Sequence, residues 1–169
     1  MKNSLFLIGM PYVGKSYWGR QLAGHLHVPF TDLDELIEQT SGHSIAEIIA
    51  REGEPGFRNR EQQCLEALLN NTTTPRIVAC GGGTPCFFNN IDIMKQHGTV
   101  VWLNAPIPYL LKNAARNNSP RPLLGSATDP EIRLTQLLTE RTTWYQQAHH
   151  ILQVQDISLT TFDKILLHA

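Results

Sequence analysis

Residues Gly9-Met10-Pro11-Tyr12-Val13-Gly14-Lys15-Ser16 read G-x-x-x-x-G-K-S and follow directly on the apolar run Leu5-Phe6-Leu7-Ile8. Nothing else in the chain constrains the fold as much. A glycine-bounded loop between a buried strand and a helix lets backbone N–H groups curl round an anion, and the start of the helix adds its positive dipole end. At this spacing Lys15 reaches the outer phosphates of a bound nucleotide, and the Ser16 hydroxyl ligates Mg2+. Gly9, Pro11, Tyr12, Val13, Gly14, Lys15, Ser16 and the following Tyr17 are therefore assigned to nucleotide binding. The competing reading, a glycine turn without a ligand, lacks a reason for the lysine and the hydroxyl.

A loop of this kind sits at the end of a parallel strand, so the rest of the chain should alternate strand and helix. Short continuous apolar runs suited to a sheet covered on both faces occur at 5–8, 28–31, 77–80, 100–103 and 151–154. Helical patterns lie between them. Trp18, Leu22 and Leu26 recur at four-residue spacing over 15–26. Ser44 and Glu47 form a capping box opening a helix to 51. Phe57, Cys64, Leu65 and Leu68 make a stripe over 57–69. Further helices are expected at 106–116, at 129–148 with Asp129-Pro130 as its start, and at 159–168. The order predicts a three-layer α/β fold in a single domain spanning 1–169. The segment 117–128, rich in Asn, Pro, Ser and Gly yet carrying Arg121, reads as a lid over a nucleotide rather than an idle surface loop.

Composition narrows the function classes. The formal net charge is −1, which gives no basic field for nucleic acid or membrane. No apolar run approaches a membrane span, and the N-terminal run is too short for a secretory signal. Cys64, Cys80 and Cys86 form no C-x-x-C pair, which suits reduced thiols in a cytoplasmic protein. Cys86 reads as a small half-buried residue rather than a reactive thiol.

Three further clusters carry chemistry. The second strand runs into Thr31-Asp32-Leu33-Asp34, which brings two carboxylates to the sheet edge where the phosphate loop ends. In an extended segment both point to one side, so one serves Mg2+ while the other meets a substrate hydroxyl. Against this, Asp34 has a competing role as N-cap of the next helix. Gly81-Gly82-Gly83 follows the third strand, where free N–H groups can hold a carboxylate or a hydroxyl. Arg58 and Glu61 share a helix face, so Glu61 can hold Arg58 as the forked partner of a substrate carboxylate. Arg141 is the second such arginine; taken alone, each reads as a solvated charge rather than a ligand. The histidines show no metal-ligand spacing, and His149-His150 reads as incidental.

Taken in order, Gly9 to Ser16, Asp32-Leu33-Asp34, Gly53-Glu54-Pro55-Gly56-Phe57-Arg58 with Glu61, Gly81-Gly82-Gly83, Arg121-Pro122-Leu123-Leu124 and Arg141 with Tyr145 resemble the shikimate kinase family along nearly the whole chain. The resemblance implies transfer of a phosphoryl group from ATP to the 3-hydroxyl of shikimate, in aromatic amino-acid biosynthesis. It implies a five-stranded parallel sheet of order 2-3-1-4-5, a mobile lid at about 113–128, and a substrate-binding helical region at about 33–61. By the same resemblance, Lys15, Asp34 and Arg121 are catalytic, and Ser16 and Asp32 hold Mg2+. Asp34, Arg58, Gly81, Gly82, Gly83 and Arg141 bind substrate, and Arg116 and Arg121 join the ATP site. A cytoplasmic monomer acting on two small molecules is expected. Tyr12 departs from the pattern, standing where the family has glycine or another small residue. A different small-molecule kinase on the same fold, such as one for gluconate, shares the loop and lid; a nucleotide-binding module without turnover shares the loop alone.

Overall fold

A computed structural model describes residues 3–70, 74–116 and 129–167. Five strands form one sheet: β1 (Ser4–Ile8), β2 (Phe30–Asp32), β3 (Ile77–Ala79), β4 (Gly98–Asn104) and β5 (His150–Gln153). Their order is β2-β3-β1-β4-β5, with every pairing parallel, as the resemblance implied. Leu5, Phe6, Leu7 and Ile8 of the central strand are fully buried. That is why this strand reads as an unbroken apolar run rather than an alternating one.

Seven helices cover the sheet among the described residues: α1 (Lys15–Leu26), α2 (Leu33–Ser41), α3 (Ile45–Asn70), α4 (Asn90–His97), α5 (Ile107–Arg116), α6 (Pro130–Tyr145) and α7 (Leu159–Leu167). Glycine at position 19 of α1 admits the ring of Phe30, since a Cβ there would lie 2.4 Å from that ring. On the same helix Trp18 meets Phe162 of α7, with ring centroids 6.4 Å apart. The two helices expected at 44–51 and 57–69 run on as α3, broken at Gly53, whose φ of 71° and ψ of 176° are not helical. Pro55, just beyond, has no N–H to restore the ladder. The Ser44–Glu47 capping box is present: Glu47 Oε2 accepts from the Ser44 N–H at 2.7 Å, and Ser44 Oγ accepts from the Glu47 N–H at 3.3 Å. Asp129 caps α6 by accepting from the Glu131 N–H at 2.8 Å.

Two expectations need correction. Strand β2 ends at Asp32, and Asp34 already lies in the first turn of α2, so the two carboxylates are not on one extended segment. The helix cap belongs to Asp32, whose side chain accepts from the N–H groups of Asp34 and Glu35. The competing role weighed for Asp34 is thereby filled by its neighbour. His149 is not incidental either: its Nδ1 accepts from the Val100 N–H at 3.0 Å and ties the entry of β5 to β4.

Candidate active site

The phosphate loop leaves β1 and turns left-handed at three residues, Gly9 (φ 138°), Tyr12 (φ 66°) and Gly14 (φ 99°), before α1 begins. Tyr12 is the only non-glycine of the three. A side chain in that conformation costs roughly 1–3 kcal/mol, and the carbonyl of Tyr12 accepts from Asn113 Nδ2 at 2.9 Å. Val13 is fully buried and fixes the loop from beneath. The ammonium of Lys15 donates to the carbonyls of Gly9 and Met10, both at 2.9 Å, so its charge lies over the loop.

In front of the loop opens a cleft of about 480 Å³, lined by Tyr12, Gly14, Lys15, Ser16, Tyr17 and Trp18 together with Asp32, Asp34, Cys80, Tyr109, Asn113 and Arg116. The lining joins residues from both sides of the sheet edge, and most of the predicted nucleotide residues are among them. Gly9, Pro11 and Val13 are not among the lining residues. Tyr17 and Arg116 are exposed at the cleft. Arg121, and with it most of the expected lid, lies outside the described residues; 113–116 close α5.

Asp32 holds two positions at once. One carboxylate oxygen caps α2, and the other accepts from Ser16 Oγ at 2.5 Å. Two hard oxygens, a hydroxyl and a carboxylate, thus meet at the cleft, and that donor set suits Mg2+. Among the described residues no group of three His, Cys, Asp or Glu side chains comes together as a metal cage.

The triple glycine is where charged side chains of three helices meet. A Cβ on Gly81 would stand 2.8 Å from Asp34 Oδ1, one on Gly82 would stand 3.0 Å from Arg141 Nη1, and one on Gly83 would stand 2.5 Å from Arg58 Nη2. Three absent side chains leave room for two carboxylates, since Glu61 Oε1 lies as close to the Gly81 position as Asp34 does, and for two guanidinium groups. They come from three helices: Asp34 from α2, Arg58 and Glu61 from α3, and Arg141 from α6.

Arg58 is tightly held. Its Nη1 donates to Glu61 at 2.8 Å, its Nη2 donates to Glu54 at 3.0 Å, and it is 2 % exposed beside a fully buried Glu61. Its guanidinium lies 4.9 Å from the centre of the Phe57 ring and 4.4 Å from that of Phe87. Burial pushes the Glu61 carboxyl above the ordinary carboxylate range, while Arg58 and the hydroxyl of Thr84, which donates at 2.5 Å, pull it back. Arg141, 8 % exposed, forms no ion pair with an Asp or Glu among the described residues.

Sequence reasoning placed Arg58, Glu61, Asp34, Arg141 and the glycines in one region, and the structure brings them together. It did not find Glu54, Thr84, Phe87, Tyr109 or Asn113. Glu54 lies four residues before Arg58 on the same helix, and this spacing was a usable signal. The others have none in the linear chain. Tyr145 was noted only as part of the motif series. Its hydroxyl donates to the Gly82 carbonyl at 2.5 Å, and its ring packs on Trp102 with centroids 5.5 Å apart. Burial pushes the thiol of Cys86 up to about 12 against the pull of Arg141 and Arg58, so it stays protonated, as expected of an unreactive residue.

Residues 11–168 match the family model described as shikimate kinase. A shikimate kinase of Gloeobacter violaceus is 44% identical over 145 residues, covering 86% of this chain and 80% of that one. Among solved structures, the shikimate kinase of Bacteroides thetaiotaomicron superposes with a TM-score of 0.88 at 28% identity, covering 98% of each chain. The shikimate kinase of Acinetobacter baumannii in complex with shikimate gives a TM-score of 0.86 at 33% identity, covering 98% of this chain and 91% of that one.

Proposed function

The chain belongs to the shikimate kinase family, and on that premise we propose how its residues divide the ATP-dependent phosphorylation of shikimate. The convergence of Asp34, Arg141 and Arg58 on three successive glycines, beside the phosphate loop, carries this reading.

The substrate is a compact polyol bearing one carboxylate. Arg141, free of any acidic partner among the described residues, takes that carboxylate. Arg58, clamped by Glu54, Glu61 and two aromatic rings, adds the N–H faces its partners leave open. The backbone of Gly81, Gly82 and Gly83 packs against the ring, since no side chain intervenes. Asp34 then faces the 3-hydroxyl. As the oxygen attacks the γ-phosphorus, Asp34 accepts its proton, the bond from the γ-phosphorus to the β–γ bridging oxygen breaks, and ADP leaves.

Catalysis of this kind is mostly positioning and charge stabilisation. The loop's N–H groups and Lys15 hold the β- and γ-phosphates. Ser16 and Asp32 would hold Mg2+, which when bound supplies charge neutralisation on those phosphates. Tyr12, Tyr17 and Arg116 border the nucleotide. Arg121 keeps the role given by the family resemblance, neutralising phosphate charge. The reading extends to a cytoplasmic monomer without nucleic-acid or membrane partners. A net charge of −1 fits the absence of a nucleic-acid partner. No helix among the described residues is long and apolar enough to cross a membrane.

The test is ADP release in a coupled assay with Mg-ATP, comparing shikimate with gluconate and nucleoside monophosphates. Release with shikimate alone is expected. Release with another acceptor would discard the substrate assignment, and no release from folded, ATP-binding protein would discard turnover.

A further inference from the structure

Within the phosphate loop, glycine supplies two of the three left-handed turns, and Tyr12 supplies the third with a full side chain at φ 66°. Such a residue returns to the right-handed or extended regions unless its surroundings hold it. Its carbonyl is received by the amide of Asn113, 101 residues away on α5, at 2.9 Å. Both residues line the nucleotide cleft. Tyr109, Asn113 and Arg116 stand at i, i+4 and i+7 of α5, on one helical face, and all three border that cleft. The helix thus bears on the loop through a side-chain donor.

We infer that Asn113 is a positioning residue for the phosphate loop: its amide holds Tyr12 in the left-handed turn and so keeps the loop's N–H groups converged on the nucleotide. The inference rests on the nucleotide-binding reading above. Where a glycine would adopt the turn unaided, this chain uses a tyrosine and a hydrogen bond from a second element.

MgADP and shikimate binding are titrated calorimetrically with the wild-type protein, Asn113→Ala, Tyr12→Gly and the double variant. Asn113→Ala is expected to bind MgADP about tenfold more weakly, equivalent to roughly 1.4 kcal/mol. Its shikimate affinity should stay within about twofold, which also shows that it folds. In the Tyr12→Gly background the same substitution should cost less than about twofold, because glycine needs no support there. If Asn113→Ala fails to bind shikimate and melts early, Asn113→Ser is read in the same two backgrounds. Equal MgADP affinity of wild type and Asn113→Ala would overturn the inference. So would an equal loss in both backgrounds, which would mean that Asn113 acts on the nucleotide directly. A wild-type protein that binds no MgADP would overturn the nucleotide reading itself, and the inference with it.

Discussion

Replacing Glu61 by alanine isolates what holds Arg58 in place. Glu61 is fully buried and accepts from Arg58 at 2.8 Å and from Thr84 at 2.5 Å. Removing one partner of a buried pair usually costs about 3–5 kcal/mol, because the other charge is left unmatched in a poor dielectric. Arg58 keeps Glu54 at 3.0 Å, but that carboxylate is half exposed and screened by water. The loss should therefore fall near the lower end, at about 3 kcal/mol. In a domain of this size each kcal/mol lowers Tm by about 2–4 °C, so a drop of roughly 6–12 °C is expected. Ligand-free melts at pH 8 favour the ionised pair, and urea unfolding gives the free energy directly. Arg58→Ala and the double variant close the cycle, with an expected coupling of about 2 kcal/mol. On the proposed assignment of Arg58 to the acceptor, the shikimate KM should rise while the ATP KM stays nearly unchanged. A Tm change below about 2 °C, or additive single effects, would refute the clamp.

Asp34→Asn should lower kcat by about 10²–10⁴-fold with the ATP KM little altered, the signature of a lost proton acceptor; a kcat within a few-fold of wild type removes Asp34 from the chemistry. Tyr145→Phe deletes the donor to the Gly82 carbonyl and should cost about 1–2 kcal/mol of stability while raising the shikimate KM. An unchanged shikimate KM would show that Gly82 needs no such anchor. His149 gives a pH dependence of known sign. Its burial, with Lys95 and His150 nearby, holds its pKa below the ordinary 6.5, and its Nδ1 must be unprotonated to accept from Val100. The stability this contributes is present above the ordinary value and is lost as pH falls through the lowered one. Melts from pH 8 to pH 5 should show a slope that His149→Gln reduces; equal slopes would exclude this group.

Much of this was legible because local signals and the global fold agree. The phosphate loop, the strand runs and the caps at Ser44 and Asp129 are short-range chemistry, and each formed as read. Strand ends moved by one or two residues, since apolar runs do not say where hydrogen bonding stops. Helix α4 was not anticipated: Ile91 and Met94 bury at i and i+3, but eight residues give too few turns for a period to stand out. The helix cap fell to Asp32 rather than Asp34 because the chain turns helical one residue after Asp32. Contacts between distant elements, such as Asn113 on Tyr12 or Phe87 on Arg58, left no trace in the linear order. Those depend on packing alone.

The triple glycine also limits how this site can change by descent. Almost any replacement at Gly81, Gly82 or Gly83 adds a Cβ, and at each position that atom meets a charged group within 3.0 Å. A variant at Gly81 or Gly83 must displace a carboxylate or the clamped Arg58 guanidinium, whereas at Gly82 the end of Arg141 needs to give less, so the three positions are unequally open to change. Adaptation toward another acceptor would begin more freely among the residues whose heads converge there, or at the rim of the cleft, where Tyr17 and Arg116 are exposed and a new side chain meets water first.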